Sequence, residues 1–254
     1  MLLLKKRIIG LFSLFILFFT SALFATDNTW NVNVTPYLWA MNMNGRVQVA
    51  DKKTHIDESF GDLLHHMNMG GMIWIDAGKG KLQFFGNIMY AALSNSGHDG
   101  PLSVDAQNKF GIFSAGISYE LYKWYCGLAL EPYAGARYTL NDTTLTVKLD
   151  ALRLKESDNQ HWTDPLVGAR LRYSLTQAWQ VIVAGDIGGT NTKNDYSYNA
   201  IALLGYHPQT QLTRTTIYVG YRVLYQRYTT GSGIHLFNWD MKLFGPLAGL
   251  AISF

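Results

Sequence analysis

One feature limits this chain more than any other. Apolar side chains recur every second residue along most of its length, and no apolar run beyond residue 25 is long enough for a membrane helix. Tyr37, Trp39, Met41, Met43, Val47 and Val49 alternate with Asn42, Asn44, Arg46 and Gln48. Leu128, Leu130, Pro132, Ala134, Ala136, Tyr138 and Leu140 continue a face begun at Cys126, against Gly127, Glu131, Tyr133, Gly135, Arg137 and Thr139. Val167, Ala169, Leu171, Tyr173 and Leu175 oppose Gly168, Arg170, Arg172 and Ser174. Thr215, Ile217, Val219, Tyr221, Val223 and Tyr225 oppose Arg214, Thr216, Tyr218, Gly220 and Arg222. A period of two belongs to a β-strand whose faces meet different surroundings.

Soluble sandwiches alternate as well, but three features point to strands in lipid. Polar faces combine Gly with charge, as a crowded, solvated lumen requires. Apolar faces carry Tyr or Trp near strand ends, as interfacial girdles do. Residues 1–25 have the layout of a secretory signal peptide, with an uncleaved anchor as the alternative. Lys5, Lys6 and Arg7 precede an uncharged stretch from Ile8 to Thr20, and small residues lead to a cut after Ala25. Strands cross lipid only when closure pairs every backbone group. The expected fold is therefore all-β, a closed antiparallel transmembrane barrel over residues 26–254.

Ten strands are expected, near 29–50, 67–77, 81–93, 108–121, 124–140, 163–175, 178–190, 195–207, 211–226 and 235–254. An even number returns both chain ends to the periplasm. Short connections near Gly78–Gly80, Tyr122–Lys123, Thr176–Gln177 and Pro208–Thr210 fit periplasmic turns. Stretches 51–66, 94–107, 141–162, 191–194 and 227–234 read as outer loops. Residues 144–154 also alternate. If they span, and strand one breaks near Asn44, the count becomes twelve.

The apolar phase changes twice. Val32 and Val34 give way to Tyr37 and Trp39 across Pro36. Trp239, Met241 and Leu243 give way to Ala248, Leu250, Ile252 and Phe254 across Pro246. Each change requires an extra residue. A bulge is expected at both prolines, paired at the closing seam.

These residues resemble outer-membrane β-barrels of Gram-negative bacteria. Gly249, Ile252 and the terminal Phe254 are similar to the C-terminal signal read by the barrel-assembly machinery, with Leu247 where a polar residue is usual. The segments Pro36-Tyr37-Leu38-Trp39, Trp162-Thr163-Asp164-Pro165, Asp186-Ile187-Gly188-Gly189 and Gly220-Tyr221-Arg222 resemble a broad, porin-like group of uncharacterised proteobacterial barrel proteins. So does Gly245-Pro246 with Gly249. The resemblance implies a location and a fold, and no agreed activity.

Charge sharpens the functional classes. Without Lys5, Lys6 and Arg7 the 21 basic residues fall to the number of acidic ones, 18, so the basic balance belongs to the signal. Nucleic acid is excluded as an expected partner, leaving outer-membrane lipid and the assembly machinery, with a monomer as the default. By phase, a lumen charge network should hold Arg46, Glu120, Glu131, Arg137, Asp164, Arg170, Arg172, Asp186, Arg222, Asp240 and Lys242. Asp76 and Arg214 are further members. Paired, they would fill the interior; unpaired, they would tune a narrow polar conduit.

His55, His65, His66, His98, His161 and His235 fall in expected loops and His207 at a strand end, without metal-ligand spacing. Ser94, Ser96, His98 and Asp99 share one loop, but no nucleophile elbow or HExxH motif occurs. No catalytic, cofactor or metal residues are therefore assigned. Phe60, Leu63 and Leu64 would share one side of a short helix capping the barrel mouth. By phase, Cys126 faces lipid.

Three functions remain. The first is porin-like passage of small solutes. The second is a non-conducting structural or adhesin-like barrel with a charge-filled lumen. The third is an outer-membrane hydrolase or acyltransferase.

Overall fold

A computed structural model describes residues 29–99, 102–149, 152–191, 195–208 and 214–254. The expected signal peptide lies outside these residues. The strands are β1 (Trp30–Trp39), β2 (Asn42–Val49), β3 (Lys52–Glu58), β4 (Met67–Lys79), β5 (Leu82–Asp99) and β6 (Leu102–Tyr119). They continue with β7 (Tyr122–Lys123), β8 (Leu128–Leu149), β9 (Leu152–Ser174), β10 (Trp179–Asn191), β11 (Asp195–Tyr206), β12 (Thr215–Thr230) and β13 (Phe237–Ser253). A short helix, α1 (Phe60–His65), precedes β4.

All the wall pairings are antiparallel, and β1 pairs with both β4 and β13, which closes the sheet into a barrel. β1 and β2 are two halves of one wall strand, because β13 pairs with both. The wall thus has ten strands, as expected, and the twelve-strand alternative is not adopted. Residues 144–149 and 152–154 belong instead to the β8–β9 hairpin. β8 has 22 residues and β9 has 23. That is about twice the 9–11 residues a tilted strand needs to cross a bilayer. The stretches expected as loops at 94–107 and 141–162 are therefore largely sheet, a rim rising above the membrane.

The two expected bulges are absent. β1 and β13 keep one register from Asn33↔Ser253 to Trp39↔Leu247, and β2 continues it from Asn42↔Phe244 to Val49↔Phe237. β12 pairs with β13 without a shift from Thr215↔Ile252 through Tyr221↔Pro246 to Thr230↔Phe237. Pairing to β13 lapses at Thr35 and Pro36 without a change of register, and again at Ala40 and Met41, where Met41 N–H turns to the Trp39 carbonyl at 2.8 Å. A Cβ on Gly245 opposite would lie 1.9 Å from the Ala40 carbonyl oxygen, so this position admits only glycine.

The apolar side changes because the surroundings change. Along β13, outward Leu250 and Ile252 are exposed below Pro246, on the wall that meets lipid. Above it, Trp239, Met241 and Leu243 point inward, at 3%, 0% and 1% exposure. Outward positions there are Asp240 and Lys242, so their expected place in the lumen is wrong. β1 and β2 repeat the pattern: outward Leu38 is exposed, while inward Trp39, Met41 and Met43 are buried. Arg46 likewise faces out and is exposed, not in the lumen. Inside the bilayer the outer face must be apolar. Above it, water bathes the wall and the apolar side must turn inward.

The outward aromatic side chains bracket that belt. Trp30, Phe84, Tyr173, Trp179 and Tyr206 ring its periplasmic edge, and Tyr138, Tyr198 and Tyr221 ring its outer edge. Cys126 is exposed in the turn before β8, not on the lipid-facing wall as the phase implied. Among the described residues, no helix is long and apolar enough to cross a membrane.

Candidate functional site

The lumen collects most of the charges singled out by phase, and it has three storeys. At the periplasmic end lies a cavity of about 480 Å³. Its polar walls include Asn31, Asn33, Asp76, Gln83, Gln180 and Tyr218, with Arg170 and Arg172 along β9. Glu131 is fully buried beside these arginines, 3.1 Å from Arg172 and 3.5 Å from Arg170. Arg170 also stands 3.5 Å from Asp76 and 5.8 Å from the Trp74 ring centroid. Asp76 thus joins the network as expected.

The middle storey is a closed polar layer. Asp186 accepts from Arg137 at 2.5 Å, Asn199 at 2.8 Å and the Tyr133 hydroxyl at 3.0 Å. Arg137 also donates to Ser197 at 3.1 Å. Arg222 donates to Asn199 at 2.9 Å and Asn87 at 3.2 Å. Asn87 in turn donates to the Tyr37 hydroxyl at 2.9 Å. Asp164 sits opposite Arg137 and against buried Asp195. Burying charge here is tolerable where it is paired and hydrogen-bonded, as Arg137 and Asp186 are; Arg137 Nε and one oxygen each of Asp164 and Asp195 are buried without a hydrogen-bond partner. The remaining void among these groups is about 20 Å³, room for no more than a water molecule.

Inward glycines let large side chains lie across the lumen. A Cβ on Gly168 would sit 2.6 Å from the Tyr133 ring, and one on Gly116 would sit 2.7 Å from the Phe85 ring. Glycine on the inward strand face thus marks a filled interior, where the wall yields space to aromatic rings.

The upper storey is apolar. Trp39, Met41, Met43, Met89, Phe110, Ile112, Trp162, Leu224, Phe237, Trp239, Met241, Leu243 and Leu247 form one buried cluster. Trp239 stacks with Phe110 at 5.8 Å and meets Trp162 at 6.0 Å. Arg222 joins this storey to the one beneath, its guanidinium 4.8 Å from the Trp39 ring centroid. At the mouth, Leu63 of α1 packs on the cluster, whereas Leu64 is exposed, so the expected cap rests on one side chain. Ser59 caps α1, and its hydrogen bonds hold the Asp62 carboxyl below the ordinary range.

Of the expected lumen charges, Glu131, Arg137, Asp164, Arg170, Arg172, Asp186 and Arg222 meet inside. Glu120 lies beyond β6 at the periplasmic turn, its amide bonded to the Lys81 carbonyl, and Arg214 is exposed just before β12. Neither joins the network. Arg46, Asp240 and Lys242 face out. Phase reading missed Asp195, Ser197 and Asn199, three inward residues of β11 that alternate with Tyr196, Tyr198 and Ala200. The signal was present, because the polar face of an expected strand was written there without a basic residue.

The expected assembly residues sit at the seam. Gly249 lines the cavity, and Ile252 and Phe254 point outward. Ser94 exchanges hydrogen bonds with Asn68 at 2.8 and 3.1 Å. His161 bonds Asp142 at 2.6 Å outside the wall, and His65 and His66 pack edge to face. Among the described residues, no group of three His, Cys, Asp or Glu is placed to hold a metal ion.

No protein-family model matches the sequence, and no curated protein matches it either. Among solved structures, the fold is similar to the outer membrane protease OmpT from Escherichia coli, with a TM-score of 0.58 at 11% identity. That likeness covers 92% of this chain and 100% of the other. The translocator domain of autotransporter NalP from Neisseria meningitidis overlaps loosely, at TM-score 0.40 and 11% identity over 90% of each chain. Neisserial surface protein A does so at 0.33 and 13%, covering 89% of this chain and 97% of the other. OmpT shares the fold; at this identity nothing about activity follows. Closed strands, an apolar belt and a charged interior make this chain an outer-membrane β-barrel.

Proposed function

We propose that the barrel does not conduct solutes and acts as a structural or surface-interaction protein of the outer membrane. One observation carries this reading: two closed storeys, one ionic and one apolar, are stacked across the lumen. A porin-like path would have to part the Arg137–Asp186 layer and then the Trp39–Trp239 cluster. The first step strands a buried charge, which costs several kcal/mol. The second exposes aromatic surface worth about 25 cal/mol per Å². The periplasmic cavity is then a vestibule with a ceiling. The raised rim, made of the β5–β6 and β8–β9 hairpins, offers the surface for contact outside the cell. We assign no catalytic role to the rim, where Ser94 is engaged by an amide and not by a base.

Planar-bilayer recording of the purified full-length barrel tests this. The expected outcome is a quiet baseline. Discrete, reproducible current steps would overturn the proposal and favour passage of small solutes.

A further inference from the structure

The periplasmic cavity has an apolar panel bracketed by guanidinium groups. Strand registers put Arg170, Ala184, Ile201 and Arg222 in one inward row across β9, β10, β11 and β12. One step nearer the periplasm, Arg172, Ile182, Leu203 and Gly220 form a second row. Ile182, Ile201 and Leu203 point inward and are still only half-buried, so their free surface belongs to the cavity that they line. The opposite wall is polar, with Asn31, Asn33 and Thr35 on β1 and Asp76 on β4.

The charges around this cavity do not cancel. Arg170 and Arg172 share the buried Glu131 carboxylate, and Arg170 also reaches Asp76, so two carboxylates answer two guanidiniums. Arg222 is the third cation of the wall, and it is 4% exposed. Among the described residues it makes no ion pair. Its Nε donates to Asn199 and its Nη1 to Asn87 and the Tyr37 hydroxyl, all neutral groups. Asp186 stands one amide away, beyond Asn199, and Arg137 already holds it. Asp164 and Asp195 lie beside Arg137 and Ser197, not beside Arg222. A buried charge is costly unless a counter-charge meets it.

A guanidinium without a carboxylate, at the inner end of a cavity and beside an apolar panel, matches an anion with an apolar body. We propose that the periplasmic cavity binds an aliphatic monocarboxylate, with its carboxylate against Arg222 and the Tyr37 hydroxyl and its chain along Ile182, Ile201 and Leu203. The cavity volume of about 480 Å³ lies within the range of small-molecule sites, about 300–1,000 Å³. A guanidinium binds a carboxylate through two parallel N–H donors. Among the described residues, Nη2 of Arg222 makes no hydrogen bond and is the donor left for this purpose. One carboxylate supplies the missing negative charge, and the alkyl chain covers apolar surface that water otherwise wets. The inference goes beyond the structural role proposed for the barrel and is independent of whether the lumen conducts.

The test uses the full-length barrel in zwitterionic lipid nanodiscs, with binding read by isothermal titration calorimetry against protein-free nanodiscs. The probes are octanoate, 1-octanol, acetate and inorganic phosphate. Octanoate should bind the parent saturably, at a single site. With the charged hydrogen bonds of the guanidinium removed, Arg222→Gln should bind it about tenfold to a hundredfold more weakly. Arg46→Gln, the same charge change on the outer wall, should bind it as the parent does. If Arg222→Gln fails to fold, as judged by heat-modifiable gel mobility, Ile182→Trp keeps every charge and fills the panel. It should weaken octanoate binding about tenfold, the worth of about two buried methylenes. 1-Octanol, acetate and phosphate should each bind the parent at least about tenfold more weakly than octanoate. Absence of saturable octanoate binding, equal binding by the folded cavity variants, or equal binding of 1-octanol would overturn the proposal. Acetate or phosphate binding as tightly as octanoate would make the cavity a site for simple anions and also overturn it.

Discussion

Removing the carboxylate of Asp186 is the sharpest test of the closed middle storey. Its side chain is 4% exposed and that of its partner Arg137 is 1% exposed. Asp186→Ala leaves the Arg137 guanidinium buried, still donating to the Ser197 hydroxyl but without its carboxylate partner. Breaking one side of a buried pair costs about 3–5 kcal/mol. The Tyr133 hydroxyl and the Asn199 amide lose their acceptor as well. Each unsatisfied group adds about 1 kcal/mol or more where the lumen stays dry. Arg137→Met should cost a similar 3–5 kcal/mol, because Asp186 is then the unpaired charge.

The double variant Arg137→Met, Asp186→Leu removes both charges and restores apolar volume. It should recover at least half of either single loss, leaving about 1–2 kcal/mol for Tyr133 and Asn199. The assay is equilibrium unfolding in denaturant from lipid vesicles, followed by tryptophan fluorescence, with the four proteins forming a double-mutant cycle. Strictly additive losses, or single losses below about 1 kcal/mol, would refute the reasoning. Either result would mean that water fills the layer and that Arg137 and Asp186 are solvated.

Two further outcomes test where side chains point. Trp239→Ala should destabilise the barrel by about 3–5 kcal/mol in the same unfolding assay, since the ring is buried between Phe110 and Trp162. A loss below about 1 kcal/mol would put the ring outside the wall. Cys126 should react fully with a membrane-impermeant maleimide in vesicles whose periplasmic face is accessible, because it lies in an exposed turn. Labelling that requires detergent would return it to the lipid-facing wall.

Much of this barrel is legible in its sequence. Alternation located the wall strands, and short gaps located the periplasmic turns. Phase on β8, β9, β10 and β12 picked out Glu131, Arg137, Arg170, Arg172, Asp186 and Arg222 as interior. The seam strands misled for a specific reason. Alternation reports that a strand has two unlike faces, and does not say which face meets lipid. Treating the apolar face as outward throughout put Trp239, Met241 and Leu243 on the wrong side, and required bulges at Pro36 and Pro246. Arg46, Asp240 and Lys242 were misplaced by the same step.

The sequence by itself determined the strands, their antiparallel closure and the residues that share a face, because a two-residue repeat is a local property of the backbone. It also picked out most of the inward charges, but not their pairing: Arg137 meets Asp186 across an intervening strand, and Arg170 meets Asp76 across the lumen. Only the tertiary structure decided where the bilayer ends along each strand. That boundary depends on the height of the whole wall, and at that height the apolar side turns from lipid to lumen while the pairing register continues unbroken. The closed upper storey follows from this single crossing, and it cannot be placed until all ten wall strands stand at their relative heights.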